Sequence, residues 1–148
     1  MHHRPYYIKN LIKKLEVEEG YIDVNVSTGL GALPISNANV SVYIWNEQEG
    51  ETLIRSMTTD KSGKAPRIGL PVLLSDINST EEERTHYHLV IQAPNYHTVI
   101  IINVEIYPDI TNQFQVNLTP VTPGETARDR LIEIPIQAKN NPGGKYER

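Results

Sequence analysis

The stretch Gly20-Tyr-Ile-Asp-Val-Asn-Val26 decides how this chain folds. Its apolar residues Ile22, Val24 and Val26 alternate with polar ones. Side chains on a β-strand point in turn to opposite faces, so a period of two predicts a strand with one buried face and one wet face. Segments of the same kind, separated by turn residues, continue as far as Leu118. The sequence therefore predicts an all-β fold.

Six further segments complete the predicted set of strands. They are Val40–Ile44, Thr52–Thr58, Arg67–Leu70, Tyr87–Ile91, Tyr96–Ile106 and Phe114–Leu118. A tight turn is predicted at Asp60-Lys-Ser-Gly63, because Asp favours the first position of a turn and Gly accepts a positive φ angle. Seven short strands with turns at regular intervals predict a two-sheet antiparallel β-sandwich.

In the N-terminal residues, the apolar side chains recur with the period of a helix instead of the period of two that is typical of a strand. Residues 7–16 are predicted to form a short amphipathic helix, because their apolar residues recur at positions i, i+3, i+4 and i+7. The stripe consists of Ile8, Leu11, Ile12 and Leu15. It has to be buried somewhere: on its own sandwich, on a neighbouring subunit, or at a membrane surface.

The C-terminal residues are predicted to form an extended arm. Its apolar residues are Leu131, Ile132, Ile134 and Ile136. Pro135 excludes a central strand, but the arm could add to a sheet edge of the same or another chain. We therefore divide the chain into an N-terminal arm (1–19), a sandwich domain (20–121) and a linker with a C-terminal arm (122–148).

Composition excludes several classes of protein. A chain of 148 residues supports one domain, and a net charge of −4 gives no nucleic-acid signature. The absence of cysteine excludes disulfides and thiolate ligands. No apolar run has the length of a transmembrane helix, and no secretory signal is visible. The localisation stays open: the protein is kept in the cytosol, it leaves by another route, for example into a spore or cell envelope, or the start of this sequence is a processed or cloned one.

Three segments resemble the carboxypeptidase regulatory-like family of transthyretin-like β-sandwiches. They are Ala32-Leu-Pro-Ile-Ser-Asn-Ala-Asn-Val-Ser-Val42, Thr58-Thr-Asp-Lys-Ser-Gly-Lys64 and Ala93-Pro-Asn-Tyr96. In the last one Asn95 stands where the family usually has glycine. Asn tolerates a positive φ angle better than most residues, so we expect this turn to be kept. The resemblance implies a transthyretin-like sandwich.

A closer resemblance is to the N-terminal region of clostridial spore cortex-lytic enzymes and related stand-alone proteins. It rests on Gly20-Tyr-Ile-Asp-Val24, Gly31-Ala-Leu-Pro-Ile35 and Asn103-Val-Glu-Ile-Tyr-Pro-Asp-Ile-Thr111, and covers about residues 20–121. Tyr107 and Asp109 depart from the family pattern. In such enzymes this region is not the catalytic part, so the resemblance implies that the chain is not an enzyme.

The segment His86-Tyr87-His88 is the strongest candidate for metal binding. Residues i and i+2 of a strand share a face, so both imidazoles could ligate one ion, although no third ligand is evident. Ordinary surface histidines are the competing interpretation. Some β-sandwich dioxygenases bind iron with two Tyr and two His. This chain has the same residue types at Tyr87, His88, Tyr96 and His97, but the two pairs lie too close together in sequence for such a site.

From these features we predict a non-catalytic structural or protein-interaction module without cofactor, metal or catalytic residues. It would assemble with itself or a protein partner through its arms in a spore or cell envelope. A glycan- or peptidoglycan-binding module, with tyrosines and Trp45 as stacking faces, is the first alternative. A metal-dependent enzyme at His86 and His88 is the second. Asp60, Gly63 and Asn95 are predicted to have structural roles in turns.

Overall fold

The computed structural model describes residues 18–73 and 86–133, which form nine strands and no helix. The all-β prediction is confirmed. The strands are β1 (Glu19–Thr28), β2 (Leu33–Pro34), β3 (Asn39–Asn46), β4 (Gly50–Thr58), β5 (Ile68–Pro71), β6 (His86–Gln92), β7 (Thr98–Val104), β8 (Thr111–Asn117) and β9 (Asp129–Glu133). The predicted N-terminal helix lies outside the described residues. Within them, no helix is long and apolar enough to cross a membrane.

The strands form two sheets. In sheet A, β1 pairs with β8 along one side and with β5 and β2 along the other. Sheet B has the order β4-β3-β6-β7-β9. The buried faces of both sheets contribute to one hydrophobic core. Its members with less than 2% exposure are Ile22, Val24, Val26, Ala38, Val40, Val42, Ile68, Leu70, Tyr87, Leu89, Ile91, Val99, Val104 and Leu118.

The prediction of seven strands in purely antiparallel sheets is wrong. The chain has nine described strands, and two pairings, β1 with β8 and β7 with β9, are parallel. Alternation along a strand shows which face is buried, but it contains no information on the direction of the neighbouring strand. The two additional strands also escape the pattern, because β2 has only two residues and β9 lies in the predicted arm.

The predicted turn after β4 is held by one carboxylate. Asp60 Oδ1 accepts hydrogen bonds from Ser62 N at 2.9 Å, Ser62 Oγ at 2.8 Å and Lys64 N at 3.0 Å. These bonds lower the pKa of Asp60, since they stabilise its charged form. Gly63 has a φ angle of 82°, and a Cβ atom there would collide with the carbonyl oxygen of Val26. The turn is therefore packed directly against β1.

Candidate functional site

The outward faces of the two sheets differ sharply in character. On β1, Ile22, Val24 and Val26 are buried, so the intervening residues of this strand face outward. Apart from Tyr21 near the start of β1, the outward residues of β1 and β8 in sheet A are polar; they include Asp23, Asn25 and Ser27 on β1, and Gln113, Gln115 and Asn117 on β8. Sheet B instead presents aromatic rings, imidazoles and aliphatic side chains. Sheet A therefore has the outward face expected of a water-exposed sheet, and sheet B has an unusual one.

Four rings lie together on the outward face of sheet B. On β3 the residues facing the core are Val40, Val42 and Ile44, which places Tyr43 and Trp45 on the opposite face. Strand β6 runs antiparallel beside β3, with Trp45 opposite His86 and Tyr43 opposite His88. We call these four residues, Tyr43, Trp45, His86 and His88, the ring cluster.

Strand β4 borders the ring cluster on its other side. Glu51 lies opposite Trp45, and Leu53 lies opposite Tyr43. Both side chains are about half exposed: 53% for Glu51 and, for the whole residue, 51% for Leu53. The cluster is thus flanked by one carboxylate that can accept hydrogen bonds and by one apolar side chain.

Three rings of the cluster, those of Trp45, His86 and His88, are joined by direct contacts. The centroids of Trp45 and His86 are 5.0 Å apart, and their planes meet at 29°, which is a stacked arrangement. The rings of His86 and His88 are 5.1 Å apart and nearly perpendicular, at 67°. Both geometries are favourable for π systems. Together they fix the orientation of the indole, whose residue is only half-buried.

His88 is the buried member of the cluster, with 7% exposure. Burial lowers its pKa, and the neighbouring His86 lowers it further, because both disfavour the imidazolium ion. Glu51 Oε2 lies 3.8 Å from His88 Nε2 and acts in the opposite direction. Among the described residues, His88 Nδ1 finds no hydrogen-bond partner. The cluster thus contains a buried polar atom whose hydrogen-bonding capacity is unused there.

The metal site considered at His86 and His88 does not gain a third ligand from the structure. In residues 18–73 and 86–133, no three His, Asp or Glu side chains are grouped so that they could hold a metal ion. Two of the residues considered for an iron site, Tyr87 and His88, point to opposite faces of sheet B. The Tyr87 ring lies in the core and donates its hydroxyl to Pro71 O at 2.7 Å, whereas His88 is on the outward face. These residues do not fit a shared iron ion.

His97 forms a second polar cluster, which anchors the chain leading to β9. Its Nδ1 accepts a hydrogen bond from Arg128 N at 2.9 Å, and its Nε2 lies 3.3 Å from Glu125 Oε1. Glu125 also accepts hydrogen bonds from Thr122 N and Oγ1, both at 2.9 Å, and pairs with Arg128 at 3.1 Å. Chiefly the bonds from Thr122 lower the pKa of Glu125 to about 2. Both ring nitrogens of His97 therefore serve to fix this segment.

Of the four apolar residues of the predicted C-terminal arm, two lie within the described residues and two lie outside them. Leu131 and Ile132 lie on β9, which pairs with β7 in parallel, so this segment adds to a sheet edge of its own chain. Ile132 lines an open groove of about 450 Å³ bounded by β7, β8 and β9, and Leu131 is 64% exposed. Ile134 and Ile136 lie outside the described residues.

The N-terminal stripe of Ile8, Leu11, Ile12 and Leu15 also lies outside the described residues. The turn residue Asn95 has a φ angle of 71°, which is the left-handed conformation expected for this turn. The ring cluster as a unit was missed at the sequence level. The signal that could have revealed it is the alternation in β3, which assigns Tyr43 and Trp45 to one face.

No family model matches this sequence, and no curated protein matches it significantly. Solved structures do match. A mutant catechol 1,2-dioxygenase of Acinetobacter radioresistens has a TM-score of 0.49 at 16% identity, covering 82% of this chain and 59% of that one. The enzyme from Pseudomonas arvilla C-1 has 0.47 at 13% identity, covering 75% and 55%. The Bacillus anthracis TIE protein has 0.45 at 18% identity, covering 70% and 18%. This chain spans less than two thirds of the length of each.

These neighbours correct the functional prediction. The prediction of a non-catalytic structural module, assembling through its arms in a spore or cell envelope, is not carried further, since several of the matching structures are enzymes. The likeness concerns the fold and assigns no reaction to this chain. The functional argument therefore rests on the surface of sheet B itself.

Proposed function

We propose that this chain binds a carbohydrate on the ring cluster of sheet B. The observation that carries the proposal is the stacked pair Trp45–His86, which holds an indole in a fixed orientation on a sheet face. A sugar ring has an apolar face of C–H groups that packs on such a platform, and a rim of hydroxyl groups that needs hydrogen bonds. The flanking carboxylate of Glu51, which is about half exposed, can accept hydrogen bonds from these hydroxyl groups.

The surroundings favour a sugar over a wholly apolar ligand. An apolar ligand would cover part of the Glu51 carboxylate without giving it a hydrogen bond, which costs about 1–3 kcal/mol or more for a charged group. A polyhydroxylated ligand can donate a hydrogen bond to that carboxylate and also cover the indole. The resemblance to part of the cortex-lytic enzymes makes peptidoglycan fragments the first glycans to test.

Trp45 provides a direct assay, because it is the sole tryptophan of the chain. Titrating the protein with soluble peptidoglycan fragments and with chitooligosaccharides should change its fluorescence in a saturable manner. Tyr43→Ala should weaken binding about tenfold or more, because loss of a packed aromatic ring costs more than about 1.4 kcal/mol.

Tyr21→Ala is the matched control, since Tyr21 is a half-buried tyrosine on the outward face of sheet A. It should leave the affinity unchanged. The proposal is overturned if no glycan changes the fluorescence and calorimetric titration detects no binding. It is equally overturned if both tyrosine variants lose affinity to the same extent.

We also propose a finer description of the fold. The two sheets would form a transthyretin-like sandwich of the carboxypeptidase regulatory-like kind, as the turns at Asp60–Gly63 and Asn95 support. An experimental structure tests this by its strand connections. A different connection order in known members of that family would remove the assignment while leaving the ring cluster in place.

A further inference from the structure

The molecule has an open groove between β8, at the edge of sheet A, and β9, at the edge of sheet B. In the part of the chain that the structure describes, β8 pairs only with β1, and β9 pairs only with β7. The groove has a volume of about 450 Å³ and reaches the core, since Val99, Ile101 and Val116 form part of its wall. Phe114 on β8 and Ile132 on β9 also line it, and neither is fully buried. A ligand in this groove would therefore contact the hydrophobic core directly.

The rim of the groove carries a leucine in an unfavourable backbone conformation. Leu30 has a φ angle of 57° and lies between Gly29 and Gly31, which also have positive φ angles. This left-handed region suits glycine but is unfavourable for a residue with a Cβ atom. Leu30 N donates a hydrogen bond to Asn117 Oδ1 at 2.9 Å, which holds the loop in place. The leucine side chain lines the groove and yet is 93% exposed. Strained residues cluster at ligand-binding sites, so this side chain is a candidate contact for a ligand.

A guanidinium group lies on the groove side of β9. Arg130 is opposite the buried Val99, and opposite residues share a face of the sheet, so the arginine stands on the core side and lines the groove. Among residues 18–73 and 86–133, no carboxylate forms an ion pair with Arg130, whereas Arg67 and Arg128 each have one. The groove thus combines an apolar wall with a cation that is available to a ligand.

We propose that this groove binds an amphipathic carboxylate, which is a small molecule with an apolar chain or ring and one carboxylate group. The apolar part lies against Phe114 and Ile132 and is covered by Leu30. The carboxylate accepts charge-assisted hydrogen bonds from Arg130, whose planar guanidinium matches the geometry of a carboxylate.

Both halves of the ligand follow from the lining. A neutral apolar molecule would leave the guanidinium unused, and a wholly hydrophilic anion would leave the apolar wall unused. Apolar walls with a few well-placed polar groups are typical of sites for small molecules. The groove is distinct from the ring cluster, so this inference does not depend on the proposed binding of a carbohydrate.

Decanoate is a suitable probe, because it combines one carboxylate with a saturated chain, and 1-decanol is its uncharged counterpart. Titration of the isotope-labelled full chain with decanoate should shift the backbone amide resonances of groove residues such as Gln115, Asn117 and Ile132. Calorimetric titration gives the dissociation constant. We expect 1-decanol to bind about tenfold more weakly, because it cannot form the charge-assisted hydrogen bonds.

Arg130→Gln tests the charge. It should weaken the binding of decanoate about tenfold and leave the binding of 1-decanol unchanged, so that the preference for the carboxylate is lost. Arg55→Gln is the matched control, since Arg55 is an exposed arginine on β4, the opposite edge strand of sheet B. It should change neither affinity.

Leu30→Ala tests the rim and should weaken the binding of decanoate about tenfold, since a leucine side chain no longer covers the ligand. Leu33→Ala is its control, because Leu33 is a leucine of the same hairpin that is 62% exposed but does not line the groove. Leu30→Gly should weaken binding as much as Leu30→Ala does, and it should also raise the midpoint of urea unfolding, because glycine accepts the positive φ angle. A leucine that lowers stability but strengthens binding is retained for the ligand.

Several results would overturn the proposal. Equal affinities for decanoate and 1-decanol would do so, as would resonance shifts at the ring cluster instead of the groove, or an unchanged decanoate affinity in Arg130→Gln. An inward-pointing charge on an edge strand can also prevent association between sheet edges. If Arg130→Gln forms dimers and decanoate binds to neither form, Arg130 serves only that purpose and the proposal fails. Titration with glycans, followed by Trp45 fluorescence, tests the ring cluster separately, so the failure of one proposal is distinguishable from the failure of the other.

Discussion

Replacing Thr59 by valine should destabilise the protein severely, because this one side chain joins two elements of the core. Thr59 is 3% exposed. Its hydroxyl donates to Ile35 O at 2.6 Å and accepts from Ala38 N at 3.0 Å. Thr59→Val keeps the shape of the side chain but removes both bonds. It leaves one buried carbonyl and one buried N–H group without these partners.

The size of the effect follows from those two groups. Each buried polar group left unsatisfied costs about 1–3 kcal/mol, so the free energy of unfolding should fall by at least about 2 kcal/mol. Urea unfolding followed by Trp45 fluorescence measures the loss. With a dependence of about 1–3 kcal/mol per molar urea for a small domain, the midpoint should decrease by roughly 0.7–2 M.

Thr59→Ser separates the hydroxyl from the methyl group. Serine retains both hydrogen bonds and loses one buried methyl, which is worth about 1 kcal/mol. The valine variant should therefore be clearly less stable than the serine variant. If valine were tolerated as well as serine, the hydroxyl would not be what holds residues 35–38 against the turn, and the argument would fail.

Two further changes test the turn and the ring cluster. Gly63→Ala should cost more than Gly50→Ala in urea unfolding: both residues have positive φ angles, 82° and 74°, but only at Gly63 would the added Cβ collide with the chain. Equal losses would mean that the collision is relieved without cost. The second test concerns pH. Because burial lowers the pKa of His88, the unfolded chain binds a proton first as the pH falls through about 6.5, and stability should drop from pH 7 to 5. His88→Phe should flatten this dependence, and an unchanged slope would contradict the assignment.

The periodic strands were the part of the fold that sequence could predict. All seven predicted segments overlap described strands, because alternation reports burial directly, as in Ile22, Val24 and Val26. The turn at Asp60–Gly63 was predictable for a different reason. Its residues act locally, through a carboxylate that binds the next backbone N–H groups and a glycine with positive φ.

The sequence did not predict which distant segments pair with each other. Strand β9 depends on the cluster of His97, Glu125 and Arg128, which fixes the chain beside β7 through contacts that span about 30 residues. Nothing in the sequence near Leu131 indicates that partner or a parallel direction. The exact register of the ring cluster was equally hidden, since irregularities at Val42/Tyr43 and between Tyr87 and Leu89 shift the neighbours of each strand.

The placement of β9 changes where a binding surface should be sought. The sequence left open whether the C-terminal arm joins a sheet edge of its own chain or of another, and the structure places Ile132 opposite Ile101 on the core side of sheet B. The arm thus closes the β7 edge of its own sheet, at least as far as Glu133. What remains apolar and outward is the face between β4 and β9, where rings and aliphatic side chains lie together. An edge that is already paired adds strands poorly, whereas a face with fixed rings binds flat ligands well. The function of this chain should therefore be sought on the outward face of sheet B.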